Sequence, residues 1–94
     1  MKYIFNDNEY ELVKNFREGF ILEEVELRWT DYFDEFDYVL GDWAYGKLRL
    51  KGFYEKDNKS VKEFNDIQFL EKYIEEQCAT GCKYFLLKKI NKNI

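Results

Sequence analysis

The sequence predicts an α+β domain: a small, mostly antiparallel sheet of about five strands, in the chain order β-β-α-β-β-α-β, with two helices packed on one face. Three observations lead there. Apolar and polar residues alternate around Tyr3 and Phe5, Tyr10 and Leu12, and Leu48 and Leu50, the two-residue period of half-buried strands. Leu22, Val25, Trp29, Tyr32, Phe33 and Phe36 recur at three- and four-residue spacing, as do Ile67, Leu70, Tyr73 and Ile74, the period of a helix with one buried stripe. Asn, Asp and Gly separate several of these runs, as turns require.

Residues 2–5 and 9–14 read as two strands joined by Asn6-Asp7-Asn8, because Asn and Asp tolerate a left-handed backbone. Residues 15–19 connect them to a helix over residues 20–36. Glu23, Glu24 and Glu26 suit the positive end of its dipole, whereas Asp34, Glu35 and Asp37 oppose the negative end. A break near residue 30, with Thr30 capping a second, shorter helix, removes that conflict.

Residues 37–54 form the densest stretch, with three of the five glycines, a tryptophan and an alternating basic run. It reads as a hairpin of strands 38–43 and 47–54, closed by Ala44-Tyr45-Gly46 as a three-residue loop with Gly46 left-handed. In that register Leu48 and Leu50 lie opposite Asp42 and Leu40 on the core face. Lys47, Arg49, Lys51 and Phe53 occupy the other face, opposite Trp43, Gly41 and Val39. A two-residue loop pairs Asp42 with Arg49 instead, since one slip changes every partner. The three-residue loop is the preferred reading.

Residues 56–63 are a polar loop. Asn65, with Gln68 three residues on, resembles a capping box that opens the second helix, with Ile67, Leu70, Tyr73, Ile74 and Cys78 as its stripe. Gly81 is placed to end that helix. Residues 82–90 form the last strand, where Tyr84-Phe85-Leu86-Leu87 is apolar on both faces, as a central strand would be.

The 94 residues make one domain, 1–94, with 91–94 as a frayed tail. Aromatic residues are 20% of the chain within a hydrophobic total of 46%, and large rings contribute the most burial per residue to a modest core. The net charge of −4 argues against a generic nucleic-acid or membrane binder, and DNA is not an expected partner. The signs are segregated, with seven acids and one base over residues 20–37 but four lysines and no acid over residues 78–94. No apolar run approaches the roughly 20 residues of a membrane span. The first residues lack the apolar core of a signal peptide, and the expected location is cytoplasmic.

Chemistry-bearing groups are few. There is no histidine, the commonest general base and metal ligand. Cys78 and Cys82 alone do not complete a metal site, and two buried reduced thiols are the expectation. Asp31, Asp34 and Glu35 share a helical face without calcium-loop spacing and read as a solvated acidic surface. Gly41, Gly46 and Gly52 precede no helix that would make them a phosphate cradle; turn and close-approach geometry explains them. Ser60 has no base partner, so catalysis, metal and cofactor are not expected.

Trp43, Tyr45, Lys47, Arg49 and Lys51 are the candidate partner-binding residues, because aromatics beside positive charge are enriched at interface anchors. Asp42 is a structural polar residue beside them. The plainer reading is that Arg49 stacks on Trp43 while the lysines keep an outer face soluble.

Gly41-Asp42-Trp43, Tyr45-Gly46 and Leu48-Arg49-Leu50-Lys51-Gly52-Phe53 resemble the central signature of the YutD-like proteins, small domains of Gram-positive bacteria. Arg17-Glu18-Gly19-Phe20, Asp37-Tyr38, Tyr73-Ile74 and the run from Cys78 through Gly81-Cys82 to Tyr84-Phe85 are similar to that pattern too, so the resemblance covers residues 9–90. Ala44 stands where some relatives have glycine. The resemblance implies a compact bacterial cytoplasmic α/β domain with no established biochemical activity, and it carries over no site residues.

The leading functional expectation is therefore a non-catalytic protein-interaction or adaptor module using the hairpin of residues 37–54. The alternative is an RNA- or ribosome-associated factor that binds single-stranded RNA on the basic–aromatic strand face. A small enzyme or ligand-binding protein using Asp42, Tyr45 and Arg49 ranks last. None of these features sets an oligomeric state.

Overall fold

Both hairpins close on two-residue loops, and those loops set the registers of the sheet. The computed structural model describes residues 1–77 and 81–90. Strands β1 (Lys2–Phe5) and β2 (Asn8–Phe16) pair with Phe5 opposite Asn8, leaving Asn6 and Asp7 as the loop at φ 51° and 67°. Two left-handed residues in succession give the turn a twist that matches the strands.

Strands β3 (Tyr38–Ala44) and β4 (Lys47–Phe53) repeat the device. Ala44 lies opposite Lys47, and Tyr45 and Gly46 form the loop at φ 55° and 76°. This corrects the three-residue loop expected from sequence. Asp42 pairs with Arg49, Trp43 with Leu48 and Gly41 with Leu50. The observed register sorts side chains consistently: Val39, Gly41, Trp43, Leu48 and Leu50 share one face, while Leu40, Asp42, Arg49, Lys51 and Phe53 share the other. Tyr45 takes the left-handed conformation at the local cost of its Cβ, and its side chain stands clear in solvent.

The strand order is β1-β2-β5-β3-β4, with β5 spanning Tyr84–Lys89, and every neighbouring pair is antiparallel. As the apolar run predicts, Tyr84 to Leu87 are buried on both faces of this middle strand. A bulge in β2 between Leu12 and Lys14 pushes Val13 out of the ladder and into solvent. The α+β class, the five antiparallel strands and the two helices are as the sequence predicts.

The first helix does break. Helix α1 (Leu22–Arg28) ends at an extended Trp29, Thr30 is extended as well, and a 3₁₀ turn follows at Asp31–Glu35. Thr30 precedes that turn but its side chain makes no cap bond. Helix α2 (Leu70–Gln77) is approached through 3₁₀ turns at Glu63–Asn65 and Ile67–Phe69. Its lead-in is capped by Asp66 rather than Asn65: Asp66 Oδ1 accepts from the Gln68 backbone N–H at 3.0 Å. Asn65 Oδ1 accepts from the Lys62 N–H at 2.7 Å instead.

The two helices lie on opposite faces of the sheet, which corrects the expectation of one face. Val25 of α1 packs with Phe5, Tyr10, Val39, Leu48, Phe85 and Leu87. Leu70, Tyr73 and Ile74 of α2 pack with Leu40, Phe53, Tyr84 and Leu86. The physical reason is in β3 and β5: each carries large apolar residues on both faces, so each face needs a cover. Chain geometry adds a second consequence. β2 runs parallel to β3 with β5 between, and β4 runs parallel to β5 with β3 between. A half-turn about the sheet normal carries one crossover onto the direction of the other, so equal hands would place both helices on one face. They lie on opposite faces, so the crossovers have opposite hands, against the general preference for right-handed ones.

Two glycines permit the close layers. A Cβ on Gly41 would collide with the Phe85 ring, and one on Gly52 with the Phe36 ring. The outer edge of β4 is covered near its two ends. Arg28 Nε donates to the Leu48 carbonyl at 3.1 Å, the Tyr54 N–H donates to the Asn65 carbonyl at 2.7 Å, and the Ile67 N–H donates to the Tyr54 carbonyl at 2.9 Å. Among the described residues, no helix is long and apolar enough to cross a membrane. Cys82 is a free, half-buried thiol; Cys78 and the tail at 91–94 lie outside the described residues.

Candidate functional site

The register separates the five hairpin candidates. Trp43 points to the α1 face, where its indole N–H donates to the Gly19 carbonyl at 2.8 Å and Lys83 Nζ stands 4.5 Å from its ring centroid. The expected Arg49–Trp43 stack is therefore absent; Lys83 takes that place. Arg49 points to the α2 face and grips Asp42, Nε to Oδ1 at 3.0 Å and Nη2 to Oδ2 at 2.7 Å. Its Nη2 also reaches the Gln77 carbonyl at 3.3 Å, joining sheet to helix. Asp42 is 3% exposed. Tyr45 at the tip is fully exposed, and Lys47 is exposed beside it.

Lys51 is the hairpin residue with the most unusual surroundings. Its ammonium lies 5.0 Å from the Phe53 ring centroid, 5.4 Å from that of Tyr73 and 5.5 Å from that of Phe64. Each ring presents its negative face to the cation. Burial disfavours the charged form and holds its pKa below the ordinary lysine value.

These rings and Lys51 line a cleft of about 390 Å³ between β4 and α2, with Phe69 and with Glu63, Lys72, Glu76 and Gln77 completing its wall. The cleft exists because the segment after β4 returns to bond the end of that strand at Tyr54 before α2 begins. Phe64, in the first 3₁₀ turn, is held out over the sheet and is 67% exposed. Phe69, at the end of the second, is 40% exposed. Sequence reasoning treated Tyr73 as core stripe and passed over Phe64 and Phe69. A signal was present for Phe64, which sits alone in the polar run Lys62-Glu63-Phe64-Asn65-Asp66; Phe69, four residues before Tyr73, reads as the edge of the same stripe.

The acidic residues of the first helical region serve the fold. Asn6 Nδ2 donates to Asp31 at 3.0 Å, and Trp29 Nε1 donates to Asp34 at 3.1 Å. Lys89 Nζ donates to the Asp34 backbone carbonyl. The Tyr54 hydroxyl donates to Glu35 at 2.9 Å, and Asp37 accepts from the Glu55 N–H at 2.8 Å. Among the described residues no three His, Cys, Asp or Glu side chains converge as metal ligands. A second hollow of about 500 Å³, beside Glu11, Asp37, Glu55, Lys88 and Lys89, mixes both charges.

Comparison with known proteins gives one consistent result. The family described as "Putative antitoxin YutD-like" matches residues 4–88. A relative named "Putative antitoxin YutD", from Bacillus subtilis strain 168, is 44% identical over 89 residues, covering 95% of this chain and 98% of its own length. The solution NMR structure of protein yutD from B. subtilis superposes with a TM-score of 0.82 at 42% identity, covering 98% of this chain and 84% of that one.

Proposed function

The chain belongs to the YutD-like family, and from that premise we propose that it acts by binding a protein partner, without catalysis, through the face formed by β4 and α2. The observation that carries this reading is the cleft beside Lys51, with Phe64 and Phe69 held in solvent at its mouth. Exposed aromatic rings around a concave site are the usual anchors of a protein interface. The relative's name, "Putative antitoxin YutD", points the same way, since an antitoxin acts on a toxin and binding is a direct means.

The face differs from the hairpin tip first expected. Arg49, Lys51 and Lys47 remain part of it or border it, whereas Trp43 lies on the opposite side of the sheet. The single-stranded RNA reading loses Trp43 from its strand face with that separation. A stacking platform needs bases and rings on one open face, and here Arg49 is tied to Asp42 and Lys51 is set among rings. The absence of histidine from the sequence favours binding over acid–base chemistry.

A photoreactive residue placed at Phe64 or Phe69 in native cells tests the reading. Discrete protein adducts are expected at these positions and not at exposed Leu27 of α1. No adduct at either phenylalanine, or the same adducts at all three, removes it.

A further inference from the structure

We propose that the cleft between β4 and α2 receives one acidic side chain of the partner, flanked in its sequence by an aromatic or aliphatic residue. The carboxylate pairs with Lys51, and the apolar neighbour packs on Phe64 and Phe69. This deepens the reading that the β4–α2 face docks a protein, and it rests on that reading.

Lys51 is set in unusual surroundings for a strand lysine. A lysine of an outer strand normally extends its ammonium to water along an apolar stem. Here the ammonium stays among the rings of Phe53, Phe64 and Tyr73. The ring faces attract the cation but accept none of its three N–H bonds conventionally. Glu63 and Glu76 share the cleft wall, yet the ion pairs among the described residues are Arg28–Glu24 and Arg49–Asp42, neither involving Lys51. An incoming carboxylate offers the ammonium a charge-assisted acceptor, whose attraction offsets the desolvation of the charge.

The surroundings then define the rest of the occupant. A space of about 390 Å³ takes a carboxylate side chain with a neighbour, not a whole helix. The exposed flanks of Phe64 and Phe69 ask for apolar contact next to the charge. Lys72 adds a second positive group to the wall, while Glu63 and Glu76 oppose a run of acids. One acid beside one apolar residue satisfies all of these.

A random dodecapeptide library displayed on phage, panned against the full chain, tests this. The expected result is enrichment of peptides with a single Glu or Asp next to an aromatic or aliphatic residue. Synthesised, these should shift the backbone amide resonances of Lys51, Phe64, Phe69 and Tyr73. Replacing the acid by its amide should weaken binding at least tenfold, and Lys51→Met should weaken the acidic peptide to the level of the amide. Phe64→Ser, whose exposed position spares the fold, should abolish both. Peptides that map to the cleft but are indifferent to the acid or to Lys51→Met overturn the proposal and leave the docking face standing. No enrichment, or peptides that map elsewhere, overturns the proposal and counts against the docking face too.

Discussion

Arg49 holds both carboxylate oxygens of Asp42 and, through the same Nη2, the carbonyl of Gln77, so one guanidinium links β3, β4 and α2. Removing it leaves a buried carboxylate without its charged donor. Arg49→Ala is expected to cost roughly 2 kcal/mol of stability, the half-exposed arginine keeping the figure below that of a fully buried pair. Arg49→Lys should recover little, because an ammonium cannot make the fork. Urea denaturation measures this; a midpoint equal to wild type would show that the fork does not support the fold.

Two glycines of the same hairpin should respond unequally to alanine, for different reasons. At Gly41 a methyl group meets the Phe85 ring, and overpacking of this kind costs about 1–3 kcal/mol. At Gly46 there is open space but a left-handed backbone at φ 76°, which costs about 1 kcal/mol. Thermal melts of the two variants should rank Gly41→Ala below Gly46→Ala; the reverse order contradicts the packing seen here.

Alkaline pH should destabilise the protein through two tyrosines. Burial, reinforced by hydrogen bonds to Glu55 and Glu35, pushes Tyr38 and Tyr54 each up to about 12 from an ordinary 10.0. Between those values the unfolded chain has released protons that the folded chain keeps, so stability falls as pH rises. Their contribution is complete below about pH 10 and is lost on approach to about pH 12. Urea midpoints across this window should fall more steeply for wild type than for a Tyr38→Phe, Tyr54→Phe double variant. Equal slopes would assign the alkaline loss to other groups.

Refolding should lack any phase on the order of tens of seconds, because no prolyl bond exists to isomerise. Stopped-flow refolding with and without a prolyl isomerase checks this, and a phase that the isomerase accelerates would contradict it.

Much of this architecture was legible in the residues, and the failures have definite causes. Asn6-Asp7 announced the first loop because both side chains tolerate left-handed φ; Tyr45-Gly46 hid the second because tyrosine carries no such preference. That one-residue error reassigned Trp43 and separated Asp42 from Arg49. The break before residue 31 was readable from charges that opposed the helix dipole. The face chosen by α2 was not readable, since local pattern says which stripe is apolar but not which side of a two-sided sheet it covers. The cleft was missed because it depends on where the segment between β4 and α2 returns, a tertiary fact with no local period.

The central strand comes after its neighbours in the chain. β2 and β3 share no ladder; each is joined to the sheet's middle only through β5. During synthesis the two hairpins emerge as separate pieces, each with an open edge and greasy surface awaiting the same late insert. The sheet is therefore complete only once β5 has joined both hairpins. A clip that removes β5 would break both ladders that join the hairpins, leaving the packing of α1 as their link and opening the inner edges of β2 and β3 to proteases.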